Sequence, residues 1–428
     1  MNYTTRENCR VCQGRLEEIL TLGNQHLVGF TLPDTDALKR GYPHASIKPV
    51  YVPLDLMLCS NCHLLQLKHT TNAELLWNEN YGYKSGINET MKKELADIVA
   101  STTAIKRLEE GDVVVDIGSN DGTLLNAYSN PDIIRVGYEP SRNVAQAPDV
   151  PIGKFKLFVD FFNRVPFLQE FSRKKAKIIT SVAMFYDLED PNRFIEDVEA
   201  ILDPEGVFII QQNYLVGMLE QNAFDNIVHE HLEYYSLLSL ESLLAQNNLE
   251  VFDVSQNDIN GGSFRTYIRF KGAKIDVEGG QERVIAMRKR ERELGLDKKD
   301  VYLKFASRVA GLSTKLSTFV NKEVKKGKKV YVYGASTRGN TLLQAAVLNS
   351  KQITAAAERN AFKWGRKCVG TNIPIISEEE ARKAQPDYFL VLPWFFKKEF
   401  IEREKEYLET GGKLIFPLPE FEIIGKED

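Results

Sequence analysis

Asp116-Ile117-Gly118-Ser119-Asn120-Asp121-Gly122 decides the fold of this chain. The stretch follows the apolar run Val113-Val114-Val115 and precedes Thr123-Leu124-Leu125. An acid ending a buried strand, then a glycine turn opening a helix, begins a nucleotide-type βαβ unit. The spacing acid-x-Gly-x-x-x-Gly differs from the Gly-x-Gly-x-x-Gly of dinucleotide binders. A dinucleotide loop brings backbone amides against a pyrophosphate at a helix N-terminus. This loop instead sets two carboxylates, Asp116 and Asp121, beside its ligand. Carboxylates repel phosphate and suit an adenosine ligand that carries an amino group and a sulfonium. S-adenosylmethionine is such a ligand, with Asp116, Gly118, Asn120 and Gly122 as its expected loop contacts.

The stretches that follow extend this unit. Ile133 to Pro140 reads as the next strand, ending in Glu139. That acid lies near the offset of roughly 20 residues at which a carboxylate accepts from ribose hydroxyls. In Phe158-Val159-Asp160-Phe161-Phe162, Asp160 can accept from an adenine amino group, and a ring such as Phe161 can stack on the base. Ile178 to Val182 and Gly206 to Ile210 read as two further strands. Strands alternating with helical stretches indicate a parallel sheet.

At 428 residues the chain is long enough for two or three domains. Its 43% hydrophobic and 27% charged residues place it among ordinary globular proteins. A net charge of -4 offers no basic surface for nucleic acid or an acidic membrane. No apolar stretch approaches the roughly 18 residues of a membrane-spanning helix. The first residues lack an apolar signal core, so the expected location is cytoplasmic. The sequence leaves the oligomeric state open, and a monomer is compatible with it.

Four of the five cysteines form two knuckles, Cys9-Arg-Val-Cys12 and Cys59-Ser-Asn-Cys62. Two Cys-x-x-Cys pairs in such a chain read as one tetrahedral zinc site. With four thiolates and no open position, the expected role is structural. Redox dithiols fit less well, because neither knuckle opens a helix after a strand. Cys368 stands alone and reads as a small buried residue.

Three regions follow: a zinc-binding domain over 1–75, an S-adenosylmethionine-binding domain over 76–275, and 276–428. The third holds a charged helical linker and a second Rossmann-like α/β unit. In that unit Lys329 to Tyr333 is a strand, and Gly334-Ala-Ser336-Thr337-Arg338-Gly339-Asn340 is a turn into a helix. The turn lacks the Gly-Lys-Ser/Thr ending of a P-loop. Its small residues and hydroxyls could still hold a diphosphate. Ile353 to Ala357, Asp387 to Leu392 and Lys413 to Phe416 read as its later strands.

Only six histidines are present, and two flank an acid in Val228-His229-Glu230-His231. The pair lacks the four-residue spacing of a helical zinc protease motif. A histidine can remove a proton near neutral pH, and an adjacent glutamate can orient it. The run follows the fifth strand, on the side where an acceptor enters a methyltransferase.

With these pieces in order, the chain resembles the three-part nucleotide-sugar C-methyltransferases that act on keto-deoxysugars. The shared pieces are the two cysteine knuckles, Tyr81-x-Tyr83-x-Ser85, Asp116-x-Gly118-x-x-x-Gly122, His229-Glu230-His231, Asn260-Gly261-Gly262-Ser263-Phe264-Arg265, Gly334 to Asn340, and Leu392-Pro393-Trp394. The resemblance implies a class I methyltransferase sheet between a zinc-binding and a second Rossmann-like domain. It also implies C-methylation of a nucleotide-linked 4-keto-6-deoxyhexose through an enolate. On that carry-over His231 is the base, Glu230 orients it or binds a sugar hydroxyl, and Tyr83 contacts the sugar or polarises the keto oxygen. Tyr81, Ser85, His229, Asn260, Gly261 and Arg265 fall on the acceptor side, with Ser336, Thr337 and Asn340 holding the diphosphate. One departure is Val228, where members often carry Tyr; it bears on the sugar and the carbon, not on the donor. O- or N-methylation and non-catalytic nucleotide-sugar binding are the competing readings, separated by exchange at the α-carbon and by S-adenosylhomocysteine binding.

Overall fold

The computed structural model describes residues 2–27, 30–31, 50–77, 83–145, 154–172 and 174–426, the side chains of 30 and 31 excepted. Its middle is a seven-stranded sheet. The strands are β1 (Val113–Ile117), β2 (Ile134–Tyr138), β3 (Lys154–Phe158), β4 (Ala176–Val182), β5 (Leu202–Asn213), β6 (Leu249–Asn257) and β7 (Ser263–Phe270). They lie in the order β6-β7-β5-β4-β1-β2-β3. All pairings from β5 through β3 are parallel, and β7 runs antiparallel between β5 and β6. This is the class I methyltransferase arrangement. Every residue of β1 and β2 is buried, as expected of strands covered by helices on both faces. Strand order reverses between β1 and β4, and ligands of such sheets bind at the carboxyl ends beside that switch point.

The helices that cover this sheet follow from their sequences. Glu89–Ile105 starts where the Asn88 side chain accepts from the Thr90 amide at 2.9 Å. It buries Met91, Leu95, Ile98 and Val99, one stripe at helical spacing. Pro191–Ile201 has Asp190 as N-cap and proline in its first turn. Its second residue, Asn192, donates to the carbonyls of Arg10 and Val11 at 2.9 and 3.0 Å, which anchors the first cysteine knuckle on this helix.

The N-terminal region is an antiparallel sheet in the order Glu233–Tyr234, Leu65–Leu67, Tyr51–Cys59, Leu16–His26. One of its strands therefore comes from the segment directly after the His-Glu-His run. The zinc-binding region and the acceptor loop share a sheet, a long-range pairing that local sequence pattern does not carry.

Two helices, Gly280–Glu293 and Lys299–Lys325, lead into the third region. Its six strands lie in the order Ile375–Ser377, Ile353–Glu358, Val330–Tyr333, Tyr388–Val391, Lys413–Phe416, Glu422–Ile424. The first five are parallel and the last is antiparallel. This is a second doubly wound sheet, with its own switch point between Val330–Tyr333 and Tyr388–Val391. No described helix is long and apolar enough to cross a membrane.

Candidate active site and zinc centre

Four sulfurs meet at the N-terminal end. Cys9 Sγ lies 3.5 Å from Cys62 Sγ, and Cys12 Sγ lies 3.4 Å from Cys59 Sγ. All four fall within 4.8 Å of one another. A tetrahedron of sulfurs about 2.3 Å from a zinc ion has edges of about 3.8 Å. Backbone amides of Val11, Asn61 and Cys62 point at Cys9 and Cys59 sulfurs at 3.4–3.5 Å, and Gln66 Nε2 reaches Cys9 Sγ at 3.1 Å. N–H donors aimed at sulfur stabilise thiolates, so the donor set fits a closed structural Zn2+ centre. Arg10, between the first two cysteines, is fully buried. Its guanidinium reaches Thr70 at 2.6 Å and Glu189 at 3.4 Å.

Thr70 and Glu189 also line a cavity of about 400 Å³ at the carboxyl ends of β1, β2 and β4. Asp116, Gly118, Asn120, Glu139 and Phe161 line it, as do Tyr83 and Ser85. The glycine turn is held by the amides of Gly118 and Ser119 donating to the Tyr138 carbonyl, each at 2.9 Å. Gly118 has φ +76, and a Cβ there would meet Met184 at 3.0 Å. Gly122, also at φ 76, caps the helix Thr123–Asn126 with no side chain in the way. Glu139 accepts from the Asn120 and Ser141 amides at 3.0 and 2.8 Å. Asp116 accepts from the Thr180 hydroxyl at 2.7 Å; burial still pushes its carboxyl up to about 7. Asn120 and Asp121 reach across the turn to the Ser85 and Gly86 amides at 3.0 and 2.8 Å, folding the Tyr83–Gly86 segment over the cavity.

Among the described residues, five carboxyls line this cavity (Asp116, Glu139, Asp187, Glu189, Glu230) and no lysine or arginine does. That charge pattern fits a ligand with an ammonium and a sulfonium, and the volume suits an adenosine derivative. Asp160 is not part of the lining: it is exposed, and its carboxylate accepts from the Phe161 amide at 2.8 Å.

The acceptor run divides. Glu230 lines the large cavity, where its Oε2 is buried without a partner, and burial pushes its carboxyl up to about 7. His231 lines a second, much smaller cavity with Tyr186, Asn213, Asn226 and Tyr234. Its Nδ1 lies 3.0 Å from the Asn226 carbonyl, which can only accept, so Nδ1 carries the hydrogen and Nε2 keeps its lone pair. Burial, with the charge of Arg338 adding, pushes His231 down to about 3. The ring rests edge-on against Tyr186, centroids 4.4 Å apart. Val228 is buried; the phenols near His231 come from Tyr186 and Tyr234 instead.

Other sequence expectations are redirected. His229 is buried and donates from Nε2 to the Val52 carbonyl at 3.0 Å, so it pins the acceptor loop to the zinc-binding region. Arg265 is buried in ion pairs with Glu94 and Asp97, both at 2.9 Å, and holds Gln211. Neither reaches a described cavity. Asn260 and Gly261 lie where the third region meets the methyltransferase sheet: Arg338 Nη1 donates to the Asn260 carbonyl at 3.0 Å. Arg338 also pairs with buried Asp225 at 2.9 Å, which Trp394 Nε1 meets at 3.2 Å. Ser336 caps the helix Thr337–Ala345 by accepting from the Gly339 amide at 3.1 Å. Asn340 is buried and engaged with Val369 and Thr371, whereas Ser336 is exposed and Thr337 half-buried. Tyr81 lies outside the described residues.

Sequence reading passed over Tyr186, Asp187 and Glu189. They follow β4, beside the switch point, where a topological argument would have looked.

Comparison with known proteins agrees with this geometry. Family models match a zinc binding domain at 9–77, a methyltransferase domain at 87–254 and a C-methyltransferase C-terminal domain at 258–419. The chain is 31% identical to the C-methyltransferase NovU of Streptomyces niveus, over 98% of this chain and 97% of that protein. Partial likeness extends to the plantazolicin methyltransferase BpumL in complex with SAH, at 15% identity and TM-score 0.34, covering 42% of this chain and 86% of that one. A S-adenosylmethionine-dependent methyltransferase from Clostridium acetobutylicum is similar at 13% identity and TM-score 0.32, covering 42% and 92%. Domain order, donor cavity and full-length relative converge: the chain belongs to the C-methyltransferase family and is an S-adenosylmethionine-dependent enzyme with a zinc-binding domain.

Proposed function

We propose that the protein C-methylates a nucleotide-linked 4-keto-6-deoxy sugar through an enolate, with His231 as the base. The observation that carries this reading is the fixed tautomer of His231. The Asn226 carbonyl holds the proton on Nδ1, which leaves Nε2 free to take one from carbon. Glu230 stands beside it in sequence and faces the larger cavity, while His231 lines the smaller one.

A carbon next to a ketone is acidic because its electron pair can move onto oxygen. His231 takes the proton, and Glu230 keeps charge beside the donor and orients the acceptor. When bound, S-adenosylmethionine supplies an electrophilic methyl on sulfur. Tyr83, on the segment folded over the cavity, excludes water and can meet the keto oxygen. Ser336 and Thr337 face the nucleotide diphosphate. Holding both substrates in place supplies much of the rate, and proton transfer typically adds 10²–10⁴-fold.

The test is α-proton exchange. A nucleotide-linked 4-keto-6-deoxyhexose in deuterated buffer without donor should exchange the proton on the carbon beside the ketone. Adding S-adenosylmethionine should give a product with a new C–C bond. His231→Ala should abolish both and leave S-adenosylhomocysteine binding intact. Absence of exchange together with absence of a C–C product refutes the enolate; near-normal kcat in His231→Ala removes that residue as base.

A further inference from the structure

Two neighbouring pairs of residues divide themselves between the two cavities. Tyr186 and His231 face the smaller one; Asp187 and Glu230 face the larger. Asp187 ends the short helical turn Phe185–Asp187 after β4, and Glu230 arrives from the acceptor loop. Each places one oxygen out of reach of water with no hydrogen-bond partner, Asp187 Oδ1 and Glu230 Oε2. Among the described residues neither has an ion-pair partner. We propose that Asp187 is a further catalytic residue: it and Glu230 hold one proton between them, and Asp187 donates that proton's hydrogen bond to the keto oxygen of the acceptor. This rests on the keto-sugar reading above.

The surroundings support it. Burial raises the Asp187 carboxyl well above the ordinary range, and the negative charges of Glu230 and then Glu233 raise it further. Glu233 accepts from the Tyr235 hydroxyl at 3.0 Å, and Glu189 is held by Arg6 at 2.8 Å and by Arg10. The nearby cations are thus engaged with Glu189, and Arg338 with Asp225. Two carboxyls confined together do not both ionise near neutral pH, so one stays an acid. A carboxylic acid kept neutral in an apolar site serves as a hydrogen-bond donor to an oxyanion.

His231 Nε2 takes the α-proton, the C–H pair becomes the enolate C=C, and the carbonyl π pair moves to oxygen. The Asp187 hydroxyl hydrogen-bonds that oxygen while its charge lasts. The α-carbon then forms a bond to the methyl carbon as the methyl–sulfur bond breaks, its electron pair staying on sulfur. The carbonyl reforms, Asp187 keeps its proton, and the proton lost from carbon remains on His231 for release.

Carboxyl-¹³C aspartate labelling of the zinc-loaded full chain tests the proton directly. The Asp187 signal, assigned by its loss in Asp187→Asn and again in Asp187→Ser, should be that of a carboxylic acid near neutral pH. Glu230→Gln should move its titration to lower pH, because a negative neighbour is gone. A carboxylate signal in the wild type overturns the shared proton. α-Exchange then tests the role: Asp187→Asn should slow it by about 100-fold. Exchange unchanged in that variant overturns the catalytic part. If the wild type itself exchanges nothing, the keto-sugar reading falls and takes the donation to the keto oxygen with it, while the labelled spectrum still decides the proton pair.

Discussion

The chain builds the same strand-glycine turn twice and surrounds it with different charge: carboxyls without ion-pair partners at the first, ion pairs at the second. In the middle region β1 leads into Gly118, and Glu139 at the end of β2 accepts the Asn120 amide at 3.0 Å. In the third region Val330–Tyr333 leads into Gly334, and Glu358 at the end of the neighbouring strand accepts the Ala335 amide at 2.9 Å. Both glycines have positive φ, +76 and +83. The surroundings differ. Glu139 has no ion-pair partner among the described residues and shares a cavity with four more carboxyls. Glu358 pairs with Lys363 at 3.3 Å, and Arg338 projects from the same turn. The first turn opens a helix capped by glycine alone; the second is capped by the Ser336 hydroxyl. Backbone geometry makes a turn that can hold a nucleoside. The carboxyls without ion-pair partners set the first turn apart, whereas at the second Glu358 is held by Lys363 and Arg338 by Asp225.

The comparison breaks most completely through the zinc centre, because Thr70, Thr71, Leu76 and Trp77 from the N-terminal part of the chain wall the first cavity. Cys59→Ser should lose the metal, lower Tm and abolish S-adenosylhomocysteine binding. Elemental analysis beside calorimetry checks this; full binding by metal-free protein would show that the wall stands without its staple. A cleaner contrast comes from the paired acids. Glu139→Ala removes a charged acceptor worth about 1.5–3 kcal/mol, so donor affinity should fall about 10- to 100-fold. Glu358→Ala should leave donor affinity within about twofold and raise the acceptor KM. Equal effects of the two on donor binding would mean the turns are not separate sites.

The paired glycines come next. Gly118→Ala puts a Cβ 3.0 Å from Met184 in a backbone that L-residues rarely adopt, and Gly334→Ala meets Pro393 at 3.3 Å. A strain of about 1–3 kcal/mol is expected at each. The first should appear in donor Kd and the second in acceptor KM, read by calorimetry and steady-state kinetics.

The donor turn was legible in the sequence because its signals are local. Val113-Val114-Val115, the acid at 116 and two glycines fix a strand, a charge and a turn within ten residues. The cysteine knuckles were legible for the same reason. What stayed hidden depends on pairing across the chain. Nothing in Glu233-Tyr234 announces that it completes the sheet of the zinc-binding region through Leu65–Leu67. Leu249–Asn257 and Glu422–Ile424 went unread as strands because their neighbours, not their own pattern, place them. His229 and Arg265 carry functional residue types, and long-range contacts that no local pattern shows engage them with Val52 and with Glu94 and Asp97. Asp187 was missed because a lone acid after a strand has no spacing to mark it; the fold brings it to Glu230.

A pH series sharpens the charge difference. Burial pushes Asp116 up to about 7, with the charge of Glu139 adding to it. Its folded value is raised, so the folded state binds the extra proton. The stability it lends is full below the ordinary carboxylate range and is lost as pH rises through about 7. Affinity for the cationic donor runs the other way, since the ionised carboxylate attracts it. S-adenosylmethionine binding should strengthen through neutrality by up to about tenfold per pH unit, and Asp116→Asn should flatten the curve. A wild-type curve as flat as the variant's would remove Asp116 as the group that reads donor charge.

The smallest effect separates scaffold from site at the second turn. Ser336 Oγ accepts the Gly339 amide, an N-cap whose loss costs about 1 kcal/mol. Ser336→Ala should lower the stability of the chain by that amount in denaturant unfolding and leave donor Kd unchanged. Ser336→Asp restores the cap, since aspartate is an equally good N-cap acceptor. It also sets a negative charge where the diphosphate is proposed to lie. Stability should return while the acceptor KM rises, because a carboxylate and a phosphate repel across a few ångströms. A variant that regains stability with its acceptor KM unmoved would place the diphosphate elsewhere and leave the second turn as scaffold alone.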